Sequence, residues 1–481
     1  MTSEETDQVI DLAVDPARKV PMTKLRLAIV GAGPAGIYAA DILLKAERNF
    51  DVSIDLFDHL PAPYGLVRYG VAPDHPRIKG IINALRDVLD RGDIRLFGNV
   101  HFGTDITLDD LKRHYNAVIF ATGAVRDADL NIPGIELEGS YGAAEFVSWF
   151  DGHPDFPRTW PLDATQVAVI GNGNVALDVA RVLAKHADDL LTTEIPANVY
   201  AGLKASPVTD VHIFGRRGPT SVKFTPLELR ELGELRDVDM IVYDEDFEYD
   251  DAARAAVSSN KQVFVMDKVL NQWRARETGQ ASRRLHLHFF SKPLEIVDDG
   301  TGRVGGIRFE RTAPDGEGGV VGTGEIRELP IQAVYRAVGY FGSPLADVPF
   351  DKKRGVIPNR EGQVLHKGDP GSGSVGAHDQ MYGVYATGWI KRGPVGLIGH
   401  TKSDAMETVR HLINDLGNWW TPESPSEESV TAMLDERGIA YTNLDGWHNL
   451  DQHELALGEA EGRTRVKVVP RDEMVSVSRR E

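Results

Sequence analysis

The chain contains no cysteine among its 481 residues. Disulfides, thiolate metal ligands, redox-active dithiols and cysteine-held iron–sulfur clusters are therefore excluded. Long hydrophobic runs are also missing: no apolar stretch approaches the ~20 residues a membrane-spanning helix requires. A basic excess is absent too. Acidic residues number 72 against 53 basic ones, for a formal charge of −19, which argues against a general nucleic-acid binder but leaves room for a local basic patch. The first 24 residues, "MTSEETDQVIDLAVDPARKVPMTK", carry Glu4, Glu5, Asp7, Asp11 and Asp15. They are too acidic for a mitochondrial presequence and lack the apolar core of a secretory signal. They read as a disordered acidic tail on a cytoplasmic protein, with Met22 an alternative start.

What is present is a glycine-rich turn, twice. "LRLAIV" (Leu25 to Val30) reads as a buried parallel strand. Gly31-Ala32-Gly33-Pro34-Ala35-Gly36 follows it and opens a helical stretch. Gly31 permits a sharp turn, Gly33 lets the backbone approach a pyrophosphate, and Gly36 lets helix and strand pack closely. The helix N-terminus then faces the phosphate charge. A second strand, "VSIDLFD" (Val52 to Asp58), ends in an acid 27 residues after Gly31. Asp58 is placed to accept both hydroxyls of an adenosine ribose; the alternative is a surface-loop acid.

The pattern recurs at "QVAVI" (Gln166 to Ile170), followed by Gly171-Asn172-Gly173-Asn174-Val175-Ala176. The next strand of this unit, "VHIFG" (Val211 to Gly215), ends in Arg216 and Arg217 instead of an acid. Two guanidiniums there suit a 2′-phosphate, and so NADP over NAD; the alternative is a solvated basic turn. Two turns imply two dinucleotides, FAD at the first and NADP(H) at the second, and hydride transfer between them.

The expected fold class is α/β, with two Rossmann-like dinucleotide-binding domains, the NADP domain inserted into the FAD domain. Residues 25–124 and 337–481 read as the FAD domain with a C-terminal extension, and residues 125–336 as the NADP domain. "YRAVGY" (Tyr335 to Tyr340) reads as a strand leading out of the second unit. "RVGGIRFER" and "EIRELPIQAV", flanking the Gly-rich "APDGEGGVVGTG", read as a β-excursion with a mobile loop. "HKGDPGSGSVGAHD" reads as a surface loop and Pro422 to Glu428 as linker. No metal site is expected.

Five motifs in order, "PYGLVRYGVAPDHP" (Pro63 to Pro76), "GNGNVALDVAR", "GRRGP", "FTPLELRE" (Phe224 to Glu231) and "GWIKRGPVG" (Gly388 to Gly396), resemble the adrenodoxin reductase family of ferredoxin–NADP reductases, in its bacterial, actinobacterial branch. The resemblance spans residues 25 to about 475. It implies FAD contacts from Gly31, Gly33, Ala35, Gly36, Asp58, Leu66, Val100, Trp389, Gly396, Leu397 and Ile398. It implies NADP contacts from Asn172, Gly173, Asn174, Val175, Arg216, Arg217, Glu228 and Gly396. His75 and Glu231 match a histidine–carboxylate pair close to the flavin. Val395 stands where the family often has threonine, and Asp58 where glutamate is common. Ala128 falls near a position where other members carry a polar or basic NADP contact.

On spacing alone, Glu228 and Glu231 share a helix face, with a solvated acidic face as the alternative for Glu228. His75 has its own alternative as a loop histidine between two prolines. The implied activity is NADPH–ferredoxin reduction, with single electrons passed to an acidic ferredoxin or another iron–sulfur carrier. The rival readings are a quinone or dye reductase, a flavin monooxygenase and a flavin-stabilised regulatory subunit. Arg230, Arg236, Lys391 and Arg392 are candidates for a basic docking face. For Lys391 and Arg392, service to the cofactor or to helix packing is the alternative.

Overall fold

The structure, a computed structural model, describes residues 24–366, 379–395 and 398–480. The acidic tail before Lys24, most of the "HKGDPGSGSVGAHD" loop, and Gly396 and Leu397 lie outside the described residues, as does the side chain of Ile398.

The first apolar run forms strand β1 (Lys24–Val30), in which Leu25, Leu27, Ala28 and Ile29 are wholly buried. Burial on both faces is the mark of a parallel strand covered by helices on either side. β1 pairs in parallel with β2 (Asp51–Phe57), which pairs with β3 (Ile94–Phe97), and on its other side with β4 (Ala117–Phe120). The chain then leaves this sheet through β5 (Arg126–Asp127).

A second sheet follows, built from β6 (Ser140–Gly142), β7 (Gln166–Ile170), β8 (Asp210–Phe214), β9 (Val238–Val242) and β10 (Arg283–His288). An antiparallel excursion, β11 (Ser291–Asp298), β12 (Val304–Pro314) and β13 (Val320–Pro330), comes before β14 (Ala333–Arg336) completes that sheet. The order is β6-β14-β7-β8-β10-β9, all parallel. The return path makes β15 (Tyr340–Phe341). Then β16 (Asn359–Arg360), β17 (Gln363–Leu365) and β18 (Gln380–Ala386) rejoin the first sheet, whose order among the described residues is β16-β17-β18-β4-β1-β2-β3.

The outgoing and returning segments pair with each other: β15 and β5 run antiparallel, with Tyr340 opposite Asp127 and Phe341 opposite Arg126. Each sheet keeps its own core. Leu177, Val179 and Val182 on the helix Asn174–Ala184 pack over the second sheet; Ile37, Ala40 and Leu43 on the helix Pro34–Lys45 pack over the first.

Three details differ from expectation. "YRAVGY" is not one strand: β14 stops at Arg336, because Gly339 turns the chain at a φ of 135° before β15 begins. The Gly-rich loop is shorter than its composition suggests, because Val320 onward already pairs with Pro314 and its neighbours in the antiparallel ladder. The linker around Pro422 ends early: Ser426 caps a helix over Glu427–Glu436 by accepting from the Ser429 N–H.

Candidate functional site

The two glycine turns are built alike. The Gly31 N–H donates to the Phe57 carbonyl at 2.7 Å, and the Gly171 N–H donates to the Phe214 carbonyl at 3.1 Å. On the other side, the Ala121 N–H reaches the Val30 carbonyl and the Ala337 N–H reaches the Ile170 carbonyl, both at 2.7 Å. Gly31 and Gly171 hold φ of 114° and 147°, and a Cβ on either would collide with the carbonyl oxygen of Ala121 or Ala337. A Cβ on Gly36 would strike the Gly31 carbonyl. The second turn accepts Ala176 in the corresponding place, fully buried.

The middle glycines behave differently. A Cβ on Gly173 would meet nothing within 4 Å, and one on Gly33 only the Gly65 Cα at 3.8 Å. Both are N-cap residues, of helices Pro34–Lys45 and Asn174–Ala184, and neither helix has a side-chain cap or an acid in its first turn. Each helix start therefore presents unsatisfied N–H groups and partial positive charge toward open space, the arrangement that receives a phosphate. Asn174, first in its helix, accepts from the Thr225 N–H at 3.0 Å, and the Asn172 carbonyl accepts from the Lys223 N–H at 3.0 Å. These bonds tie the second turn to the "FTPLELRE" segment.

The strand ends beside the turns carry opposite charge. Asp58 is buried, which removes the surface-loop alternative. Its Oδ2 accepts from the Ala32 N–H at 2.7 Å and its Oδ1 from the Leu60 N–H at 2.9 Å, so it braces the first turn and keeps only its outer lone pairs for a ligand. Arg216 is exposed and Arg217 half-buried. Neither makes an ion pair among the described residues, in a chain rich in acids.

Between the units lies a buried charged cluster around His75. Its Nδ1 is 2.9 Å from Glu231 Oε2; its Nε2 is 2.8 Å from Asp178 Oδ1 and 3.0 Å from Glu228 Oε2. The Arg181 guanidinium approaches the same Nε2 to 2.6 Å and pairs with Asp74 and Asp178. Burial would lower the imidazole pKa and Arg181 opposes protonation, but hydrogen bonds to Asp178 and Glu228 outweigh both and lift it to about 10. The carboxylates around it thus favour the protonated form of His75. Glu231 is pushed up by burial, against the pull of His75 and Arg181.

The solvated alternative for Glu228 fails, because it is buried against His75. His75 does lie in a loop between two prolines, as the residue before the short helix Pro76–Lys79, but it is buried there. Glu228 Oε2, Glu231 Oε2 and Arg181 Nη1 are buried and meet their neighbours in the cluster as ion pairs. Asp74, Asp178 and Arg181 escaped sequence reasoning. The signal lay inside motifs already quoted, since Asp178 and Arg181 sit three apart on the helix of the second turn.

The other expected residues are distributed around this centre. Leu66 opens a short helix, Leu66–Tyr69, and is half-buried. Val100 is buried, and its N–H donates to the Asp58 carbonyl at 2.9 Å. Ala35 is buried on the first helix, and its Cβ leaves no room for one on Gly388. Trp389 is half-buried with its ring 6.3 Å from that of Tyr340, and both it and Val175 of the second turn pack against the small apolar cluster of Ala124, Ala144 and Tyr340. Gly388 is held by Asp404, whose Oδ2 accepts from its N–H at 2.5 Å. Ile398 begins the helix Ile398–Asn414.

Lys391 is not an exposed docking cation: it is buried and paired with Asp404 and Glu407, so helix packing claims it. Arg392 pairs with Asp404 at 3.3 Å.

Residues 25–213 match the family model described as pyridine nucleotide-disulphide oxidoreductase; with no cysteine, this chain has no dithiol chemistry. The chain is 40% identical over 468 residues to NADPH-ferredoxin reductase FprA of Mycobacterium tuberculosis, covering 94% of this chain and 98% of that one. It is 35% identical over 467 residues to the mitochondrial NADPH:adrenodoxin oxidoreductase of Arabidopsis thaliana, covering 94% and 95%. The solved structure of Mycobacterium tuberculosis FprA in complex with NADPH superposes with a TM-score of 0.83 at 38% identity, over 95% of this chain and 99% of that one.

Proposed function

Because the chain belongs to the family of NADPH-ferredoxin and NADPH:adrenodoxin oxidoreductases, we propose that it is itself an FAD-containing NADPH–ferredoxin reductase. When bound, the two dinucleotides supply hydride transfer from nicotinamide to flavin and single-electron release to an iron–sulfur acceptor. The protein supplies binding, orientation and fixed charge.

The observation that carries this reading is the pair of uncapped, unobstructed helix starts at Gly33 and Gly173, one beside a buried acid and the other beside two guanidiniums that make no ion pair among the described residues. Gly31, Gly33, Ala35, Gly36 and Asp58 would hold the FAD pyrophosphate and ribose, with Leu66, Val100, Trp389 and the Gly396–Ile398 segment along the flavin. Asn172 to Val175 would hold the NADP pyrophosphate, Arg216 and Arg217 its 2′-phosphate. In this reading residues 25–124 and 337–481 are the FAD domain and 125–336 the NADP domain, a division supported by the membership of the two sheets.

His75, Glu228 and Glu231 form a buried charged cluster between the units, held by ion pairs at 2.9 and 3.0 Å, and that fits fixed charge placed beside a bound dinucleotide. We assign His75 and Glu231 to setting the charge around the flavin, with Glu228 at the nicotinamide side. The acceptor is an iron–sulfur protein, an acidic ferredoxin in the finer reading. No described helix is long and apolar enough to cross a membrane, and a cytoplasmic location accords with that.

The test is anaerobic. NADPH should bleach the flavin of the purified protein far faster than NADH, and added ferredoxin should couple NADPH oxidation to cytochrome reduction. Reduction of quinones or dyes with no ferredoxin dependence would favour a diaphorase. NADPH-driven oxygenation of an organic substrate would favour a monooxygenase. Absence of any turnover would leave a regulatory subunit.

A further inference from the structure

We propose that His212, His286 and His288 form a binding site for one divalent transition-metal ion of the zinc type on the second sheet, apart from both dinucleotide sites. β8 and β10 are adjacent and parallel, with His212 opposite His286 and Phe214 opposite His288. Side chains two apart on a strand share a face, so the register brings all three imidazoles to one side of the sheet. His212 Nδ1 and His288 Nε2 are 3.0 Å apart, and the His212 and His286 rings stack at 4.2 Å. One ring nitrogen from each histidine lies within 4.8 Å of the others. Two nitrogens bound to one tetrahedral zinc at ~2.0–2.1 Å stand roughly 3.3 Å apart, so rotamer adjustment suffices to close the set.

The surroundings have the makings of a metal site. His286 Nε2 is 3.1 Å from Asp210 Oδ1, and Asp210 is itself held by Arg284 at 2.5 and 2.6 Å. A carboxylate on one imidazole nitrogen keeps the hydrogen there and leaves the other nitrogen bare for a cation. That second nitrogen, Nδ1, faces the Tyr243 hydroxyl at 2.9 Å, a group able to turn aside. His212 Nε2 is buried with no hydrogen-bond partner, which is costly for an imidazole serving only as packing. His286 and His288 are half-buried, which leaves an entry path. Three imidazoles without thiolate select Zn²⁺, Co²⁺, Ni²⁺ or Cu²⁺ over Mg²⁺ or Ca²⁺.

An ion here would tie β8 to β10 near the strand end that leads into Arg216 and Arg217. The Gly215 N–H donates to the His288 carbonyl at 2.9 Å, and the Phe214 ring stacks on His288 at 4.6 Å.

The experiment uses the full chain with its flavin, stripped with chelator and titrated with Co²⁺ and, in competition, Zn²⁺. The expected result is one ion per chain, with the visible absorption of nitrogen-ligated, four-coordinate cobalt. His286→Gln and His288→Gln should each abolish that absorption while leaving flavin content intact. Asp210→Asn should weaken binding by about 10- to 100-fold. X-ray absorption at the zinc edge of the unaltered protein should report imidazole nitrogens, a readout independent of whether the variants fold. The proposal is overturned if the unaltered protein takes up no stoichiometric ion. It is equally overturned if uptake survives both histidine substitutions, or is lost on His153→Gln in the separate His59, His153 and Asp155 cluster instead.

Discussion

His75 and Asp178 stand 103 positions apart in the sequence and meet at 2.8 Å. The histidine comes from the loop after the first glycine turn's sheet strands, the aspartate from the helix of the second turn. The contact joins the two nucleotide units by a buried charge pair, with Glu228, Glu231 and Arg181 around it.

That pair gives a pH prediction. The His75 pKa is raised in the folded state from about 6.5 to about 10. Its stabilising contribution is therefore fully present below about pH 6.5 and is lost as pH rises through about 10. Denaturant titration at pH 6, 8 and 10 should show the unaltered protein losing stability over this range more steeply than His75→Gln. Parallel pH profiles would refute a protonated His75.

The glycines divide into two classes with opposite readouts. Gly171→Ala places a Cβ against the Ala337 carbonyl at a φ of 147° and should destabilise the fold. Gly173→Ala meets nothing in the protein, so it should leave stability within ~0.5 kcal/mol. It should nevertheless weaken NADPH binding, measured by fluorescence titration, because its methyl occupies the approach to the pyrophosphate.

Arg216 and Arg217 should set nucleotide choice. Each charge-assisted hydrogen bond lost costs roughly 1.5–3 kcal/mol. Replacing both with neutral residues should raise the KM for NADPH by at least about tenfold and that for NADH little. Equal changes for the two nucleotides would show that the pair is only a solvated basic turn.

Ferredoxin docking should depend on salt, since an acidic partner approaching an acidic chain needs a local basic face. Arg230 is exposed and makes no ion pair among the described residues, whereas Arg236 is already paired with Asp189 at 2.8 Å. Ferredoxin-coupled cytochrome reduction should fall as the screening length drops from ~30 Å to ~8 Å, and Arg230→Glu should mimic that loss more than Arg236→Glu does. NADPH reduction of a neutral quinone should change little. Full activity in Arg230→Glu would place the docking face elsewhere.

The C-terminal extension carries a structural test. Lys467 is buried and donates to the carbonyls of Arg68 at 2.8 Å and Asp151 at 3.0 Å, while Glu194 pairs with both Lys467 and Lys79, at 2.8 and 2.6 Å. Burial alone would raise the Glu194 pKa, but the two ammonium groups outweigh it and hold the carboxyl below its ordinary range. Its contribution is present above that range and is lost as pH falls. Glu194→Gln leaves two buried cations undercompensated and should cost about 3–5 kcal/mol, read as a shift in denaturation midpoint.

The two turns, their flanking strands and the change from an acid to an arginine pair were legible in the sequence because they are local. A strand that must be buried is written as an apolar run, and a backbone that must turn at positive φ is written as glycine. β7 was read to the residue for that reason. Charge at a strand end is likewise a property of one or two adjacent positions. The convergence of Asp74, Asp178 and Arg181 on His75 was not legible, nor was the withdrawal of Lys391 into a buried pair. Nor was the stacking of three histidines from two strands. Each depends on which strands become neighbours and in what register, and on how much water remains around a charge. Those are consequences of long-range packing: β8 meets β10 across 68 residues of intervening chain. The sequence by itself determined the elements and the chemistry of their ends. Only the tertiary structure decided which ionisable groups share a dry space, because side-chain pKa and pairing follow from burial and distance, and neither is written at any single position.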